Sequence, residues 1–139
     1  MKRVLITGVA GFIGSSLCEK IINKYELIGI DNLISGNLNN LKKLFNHENF
    51  DFIKADITNP ISLNKKIDYI FHLASPASPV AYTKHPIETL KTNSIGTGNI
   101  LELAKKYNSR VLIASTSEIY GDPNIHPQRE DYFGNVNPV

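Results

Sequence analysis

Three glycines at three-residue spacing, Gly8, Gly11 and Gly14, stand between two apolar segments of different period. Upstream, Arg3 to Thr7 is a short β-branched run of the kind buried in a parallel sheet. Downstream, Ile13, Leu17 and Ile21 recur every fourth residue with Cys18 and Ile22 beside them, which predicts a helix packed on that sheet. Glycine at such a strand-to-helix junction permits a tight turn, close approach of backbone to a pyrophosphate, and close helix–strand contact. The helix start then offers free N–H groups and a partial positive charge to the phosphates.

The alternation continues along the chain. Glu26 to Ile30 reads as a second strand ending at Asp31-Asn32, and Phe50 to Lys54 as a third, closed by Asp56-Ile57. Ile67 to His72 is a fourth, followed by the turn-rich loop Ala74 to Pro79, and Arg110 to Ala114 is a fifth, followed by polar Ser115 to Glu118. A short helix is expected around Leu41 to Phe45, and the longest from Pro86 to about Tyr107. The long helix carries two apolar stripes, Ile87-Leu90-Leu101-Ala104 and Ile95-Ile100-Leu103-Tyr107, so burial is expected on both sides, against the sheet and a partner subunit. Beyond Gly121 the chain is Pro- and Asn-rich loop. The expected fold is α/β, a Rossmann-type doubly wound parallel sheet occupying residues 1–139 as one domain. Asp31 ends the second strand about twenty residues after the glycines, where a carboxylate accepts the ribose hydroxyls of NAD. It would repel the 2′-phosphate of NADP, whose usual Arg partner is absent at Asn32 and Leu33.

Fifteen basic against thirteen acidic residues leave a formal charge of +2, too small and too scattered to indicate a nucleic-acid partner. The lysine pairs 42–43, 65–66 and 105–106 are expected on solvated faces. The single cysteine excludes an internal disulfide and a thiolate metal cluster, and no spacing among the four histidines suggests a metal site. No apolar stretch approaches the ~20 residues of a membrane span. Met1 runs directly into a strand, so no signal peptide is expected and the expected location is cytoplasmic.

With these motifs in order, Thr7-Gly8-x-x-Gly11-Phe12-Ile13-Gly14, Asp56-Ile57, His72-Leu73-Ala74 and Ser115-x-x-x-Ile119-Tyr120-Gly121, the chain resembles the extended short-chain dehydrogenase/reductase family. The resemblance implies a nucleotide-sugar enzyme using tightly held NAD. It places Phe12, Ile13, Asn32, Asp56, Ile57, Leu73, Ala74, Ser75, Thr92 and Ser115 at the cofactor alongside the glycines and Asp31. It implies Lys91, Asn99 and Tyr82 as substrate-binding, and a homodimer for the full-length enzyme. Ser75 to Val80 with Tyr82, Lys91-Thr92-Asn93-x-x-Gly96-Thr97, Ala114 to Pro123 and Glu130 to Pro138 resemble the UDP-glucuronate decarboxylase branch. Thr116-Ser117-Glu118 discriminates: the 4,6-dehydratases typically carry Thr-Asp-Glu there, and UDP-galactose epimerases small uncharged residues. Five positions depart from the family pattern: Val9 and Ser16 replace a common Gly and His, Asn37 and Asn39 occupy a loop usually rich in Arg and Lys, and Ser62 replaces a frequent Tyr.

The chemistry implied is oxidation at C4′ of the glucuronosyl ring, loss of CO₂ from the resulting β-keto acid, then protonation and reduction to UDP-xylose. By the resemblance Thr116 hydrogen-bonds the C4′ oxygen, Glu118 orients groups or relays a proton near C5′, and Ser117 contacts the departing carboxylate. The family's base is a Tyr-x-x-x-Lys pair, in which Lys lowers the Tyr pKa. The six tyrosines here are followed four residues later by Gly, Leu, Pro, Val, Asn and Val, so the pair is not within these residues. The expectation is an N-terminal, dinucleotide-binding fragment that is inactive by itself. The alternatives are a 4,6-dehydratase or 4-epimerase of the same family, or a non-catalytic NAD-binding module.

Overall fold

The computed structural model describes residues 1–137, so Pro138 of the last motif lies outside the described residues. Its elements are β1 Lys2–Thr7, α1 Phe12–Ile21, β2 Tyr25–Asp31, β3 Phe50–Lys54, β4 Tyr69–His72, α2 Pro79–Lys84, α3 Pro86–Lys91, α4 Thr97–Tyr107 and β5 Arg110–Ile113. The five strands form one sheet in the order β3-β2-β1-β4-β5, every adjacent pair parallel. The doubly wound Rossmann expectation holds. The order reverses between β1 and β4, and in open α/β sheets the crevice beyond the carboxyl ends at such a reversal is where ligands bind.

Strand alternation sorts the core into two layers. Val4 and Ile6 of β1 face Cys18 of α1 and Ile22 at its C-cap, joined by Val9, Leu27, Leu41, Leu44 and Phe50. Leu5 faces the other way, with Ile28, Ile30, Ile57, Ile67 and Ile70 packed on Ile100, Leu103 and Ala104 of α4. Cys18 is fully buried, and removal from water pushes its thiol pKa up to about 12.

Several expectations are corrected. The periodicity assigned Ile13 to the buried face of α1, but Ile13 is 65% exposed because it lies in the first turn, beyond the sheet edge; Gly14, Ser15 and Cys18 form the buried face. In place of a helix at 41–45 there is a 3-10 turn, Leu38–Leu41, capped by the Asn37 side chain accepting from Asn39 N–H. The loop after β4 passes into α2, which Pro79 opens and Ser78 caps through Ala81 N–H. The helix from Pro86 to Tyr107 is interrupted by a π turn, Thr92–Gly96. Only one of its sides is covered by the sheet: Ile87, Leu90, Ile95 and Leu101 are exposed. The lysine pairs are exposed, as expected.

Candidate functional site

A tight backbone constraint on the site lies at the first turn. Gly8 has φ +70°, and a Cβ there would lie 2.8 Å from the Leu73 carbonyl, so a side chain would collide with the loop after β4. A Cβ at Gly14 would come 2.4 Å from the Gly8 carbonyl oxygen, which makes Gly14 the point where helix meets turn. Gly11 is the N-cap of α1 and has no side chain to satisfy the first-turn N–H groups, so those of Phe12, Ile13 and Gly14 are left for an anion. Val9 is fully buried against β2 at Gly29, where a Cβ would fall 2.7 Å from Val9 Cγ1. The larger residue in the glycine loop is accommodated by a glycine in the neighbouring strand.

Asp31 is buried and fixed from both sides. Ala10 N–H donates to its Oδ2 at 2.9 Å and Leu33 N–H to its Oδ1 at 2.8 Å, so acid and glycine loop are one unit. Each carboxylate oxygen retains acceptor capacity for a hydroxyl. Gly36 completes the cradle, since a Cβ there would meet the Asp31 oxygens at 2.8 and 3.0 Å. The Ala10 carbonyl is held by Asn37 N–H at 3.0 Å and Asn40 Nδ2 at 2.8 Å.

Behind the rim, Asn32 Nδ2 donates to Asp56 Oδ2 at 3.0 Å, while Thr58 donates its N–H and hydroxyl to Oδ1. Burial pushes the Asp56 carboxyl up, but the hydrogen bonds from Thr58 and Asn32 outweigh it and hold the group below its usual value of 3.8. The π turn places Thr92 in the cleft and sets Gly96 on Ile57, where a Cβ would lie 2.8 Å from Ile57 Cδ1.

The resulting cleft has an empty volume of about 520 Å³. Of the residues expected at the cofactor, it brings together Gly8, Gly11, Asp31, Asn32, Ile57, Leu73, Ala74, Ser75 and Thr92. Phe12, Ile13, Gly14, Asp56 and Ser115 do not line it: Phe12 and Ile13 point their side chains outward, Gly14 packs within the turn, Asp56 stands behind Asn32, and Ser115 is an exposed residue following β5. Sequence reasoning missed Ile30, Ile34, Ser35, Gly36, Ala55 and Pro76 in the lining. No local signal marked Gly36, whose role depends on the Asp31 carboxylate reaching it in the fold.

The other site candidates lie apart. Thr116 caps a 3-10 turn, Ser117–Tyr120, accepting from Glu118 N–H at 3.2 Å, and Thr116, Ser117 and Glu118 are all exposed. Lys91 and Tyr82 are exposed on α3 and α2. Asn99 Nδ2 donates to the Ile57 carbonyl at 2.8 Å, tying α4 to the loop behind the cleft. Among the described residues no group of three or more His, Cys, Asp or Glu could hold a metal, and no helix is long and apolar enough to cross a membrane.

A family described as GDP-mannose 4,6 dehydratase matches residues 5–138. The chain belongs to this family, within the extended short-chain dehydrogenases/reductases. It is 52% identical over 139 residues to UDP-glucuronic acid decarboxylase 1 of Danio rerio, covering 99% of this chain and 33% of that protein. Among solved structures it is similar to a UDP-N-acetylglucosamine 4-epimerase from Methanobrevibacter ruminantium in complex with UDP-N-acetylmuramic acid, with TM-score 0.84 and 32% identity over 97% of this chain and 44% of that one. A UDP-glucuronic acid 4-epimerase mutant from Bacillus cereus, in complex with a fluorinated UDP-glucuronic acid and NAD, matches with TM-score 0.83 and 30% identity over 96% of this chain and 46% of that one. The chain thus spans about a third of the length of the curated relative and less than half of either solved chain.

Proposed function

We propose that this chain is the dinucleotide-binding part of an NAD-dependent UDP-glucuronate decarboxylase. The observation that carries the reading is the 52% identity to a UDP-glucuronic acid decarboxylase across the whole chain. The cleft supports the cofactor half of it: bare glycine backbone, free first-turn N–H groups and a buried, pre-oriented Asp31 fit a pyrophosphate next to a ribose. NAD bound there would supply reversible hydride transfer at C4′ of the sugar. Asp31 accepts the ribose hydroxyls and disfavours a 2′-phosphate by like charge, and Ile57, Leu73, Ala74 and Thr92 close the cleft around the nucleotide.

Beyond β5, Thr116 is assigned to the C4′ oxygen, Glu118 to proton relay near C5′, and Ser117 to the departing carboxylate. Lys91 and Tyr82 are assigned to the sugar nucleotide, and Asn99 acts on the same side by fixing Ile57. Phe12, Ile13, Asp56 and Ser115 support the cofactor through backbone or neighbouring residues rather than by lining the cleft. The C4′ proton acceptor is not among the six tyrosines, so turnover belongs to a longer polypeptide and these 139 residues alone release no CO₂. The proposal includes a homodimer of that polypeptide, with Ile87, Leu90, Ile95 and Leu101 offering the apolar face, and a cytoplasmic location. The 4-epimerase reading is favoured by the solved structures, at 30% and 32% identity.

The test replaces the matching segment of the Danio rerio enzyme with residues 1–139 and assays UDP-glucuronate. Release of CO₂ with formation of UDP-xylose is expected. A folded chimera that binds NAD but returns only the C4′ epimer would transfer the assignment to the epimerases.

A further inference from the structure

His72 is buried at the carboxyl end of β4, behind the cleft wall and outside its lining. Its Nδ1 lies 2.7 Å from Thr7 Oγ1 on β1, and its Nε2 lies 3.0 Å from Thr97 Oγ1 on α4. Thr7 Oγ1 also accepts the N–H groups of Leu73 at 3.2 Å and Ala74 at 3.3 Å. A hydroxyl has one proton and two acceptor positions. With both positions facing N–H donors, the Thr7 proton is what remains for the ring, so Nδ1 accepts and the ring proton sits on Nε2, donated to Thr97. Burial favours the same neutral imidazole, holding its pKa below the usual 6.5.

The two amides differ. Leu73 N–H is shared with the Thr7 carbonyl at 3.2 Å, whereas Ala74 N–H is directed to the hydroxyl. Both residues line the cleft, and they form the wall against Gly8: a Cβ on Gly8 would lie 2.9 Å from Ala74 Cα. A Thr7 hydroxyl turned the other way would point its proton at Ala74 N–H and push that wall off the glycine turn.

We propose that His72 is a positioning residue for the dinucleotide cleft: as the Nε2-protonated imidazole it orients the Thr7 hydroxyl to accept from Ala74 N–H, which holds the Leu73–Ala74 wall on the Gly8 turn. The ligand in this proposal rests on the NAD reading above; the geometry does not. Two measurements are therefore made on the 139-residue chain without ligand. Nitrogen NMR of the imidazole should show Nδ1 unprotonated and Nε2 protonated, and hydrogen exchange should show the Ala74 amide protected. His72→Asn keeps an acceptor near the Nδ1 position, and His72→Gln keeps a group near Nε2 only. The Asn variant should retain Ala74 protection and NAD affinity. The Gln variant should lose about tenfold of each, the size of one neutral hydrogen bond. Should the Gln variant fail to fold, Thr7→Val removes the hydroxyl with little change of shape and must free the Ala74 amide equally. An Nδ1-protonated ring, or equal Ala74 exchange in the Asn and Gln variants, overturns the proposal. If the ring and amide behave as expected and NAD does not bind at all, the cofactor reading fails and the positioning role stands.

Discussion

At the carboxyl ends of β1 and β2, Ala10 and Asp31 are buried and locked to one another, and Asn37, Asn40 and Leu33 hold the pair from the far side. After β5, Thr116, Ser117 and Glu118 are exposed and hold only to their own 3-10 turn, through Glu118 N–H on Thr116 Oγ1 and Gly121 N–H on the Glu118 carbonyl. The first region is pre-organised by its own hydrogen bonds and by packing on both faces of the sheet. The second presents polar groups whose orientation the described residues do not fix. Sites that must hold a cofactor through every turnover gain from rigid support, because ordering is then not charged against binding. On this comparison, damage to the first region is felt in folding and cofactor affinity together, and damage to the second in chemistry alone.

The largest expected effect is at Gly14. Gly14→Val drives carbon into the Gly8 carbonyl and should cost about 3 kcal/mol or more, at the upper end for overpacked sites. Urea denaturation followed by circular dichroism checks it; a loss under ~1 kcal/mol would mean that the turn yields easily and is not a rigid element. Next is Asp31→Ala, which leaves the Ala10 and Leu33 N–H groups without their acceptor. We expect a loss of about 2 kcal/mol in stability and at least tenfold in NAD affinity. Stability falling without any change in affinity would separate the acid from the ligand.

Acid should act on the first region and its support before the second. His72 favours its neutral form when folded, so the unfolded chain takes up the proton more readily. Its contribution to stability is full above pH 6.5 and is lost as pH falls below that value. Asp56 favours its charged form when folded, so its contribution is present above pH 3.8 and lost below it. Denaturation across the acid range should therefore show a first decline that His72→Asn removes and a later one that Asp56→Asn removes. In the opposite direction, the raised Cys18 pKa stabilises the fold below pH 9.0 and ceases to as pH rises from there toward about 12. The smallest effect on the fold is at Glu118. Glu118→Gln should change stability by under ~0.5 kcal/mol, as exposed substitutions do, and leave NAD affinity alone while lowering CO₂ release in the chimera. Unchanged CO₂ release would reduce Glu118 to a surface residue.

The strands and the glycine–acid pairing were legible because each follows from local pattern: a β-branched run, three spaced glycines, an acid at the next strand's end. Less legible were features that depend on tertiary fit. Nothing in the local pattern of Val9 says that it needs Gly29 opposite, and nothing around Gly36 says that Asp31 fills the space of its missing side chain. The two stripes of the long helix are apolar as expected, but burial does not follow them: Ile100, Leu103 and Ala104 are buried, while Ile87, Leu90, Ile95 and Leu101 stay exposed. The π turn at Thr92–Gly96 is likewise invisible to a 3.6-residue period, since an added residue per turn shifts register without changing composition. Asn99 was expected at the substrate by family resemblance; its amide is engaged with Ile57, a contact 42 residues away in sequence.

The central claim is that the Asp31 cleft is built for NAD. Isothermal titration of the 139-residue chain with NAD and with NADP tests it directly. The account predicts binding of NAD at least about tenfold tighter than NADP, a preference that Asp31→Ala abolishes. Equal affinity for the two dinucleotides, or a preference that survives Asp31→Ala, would contradict it.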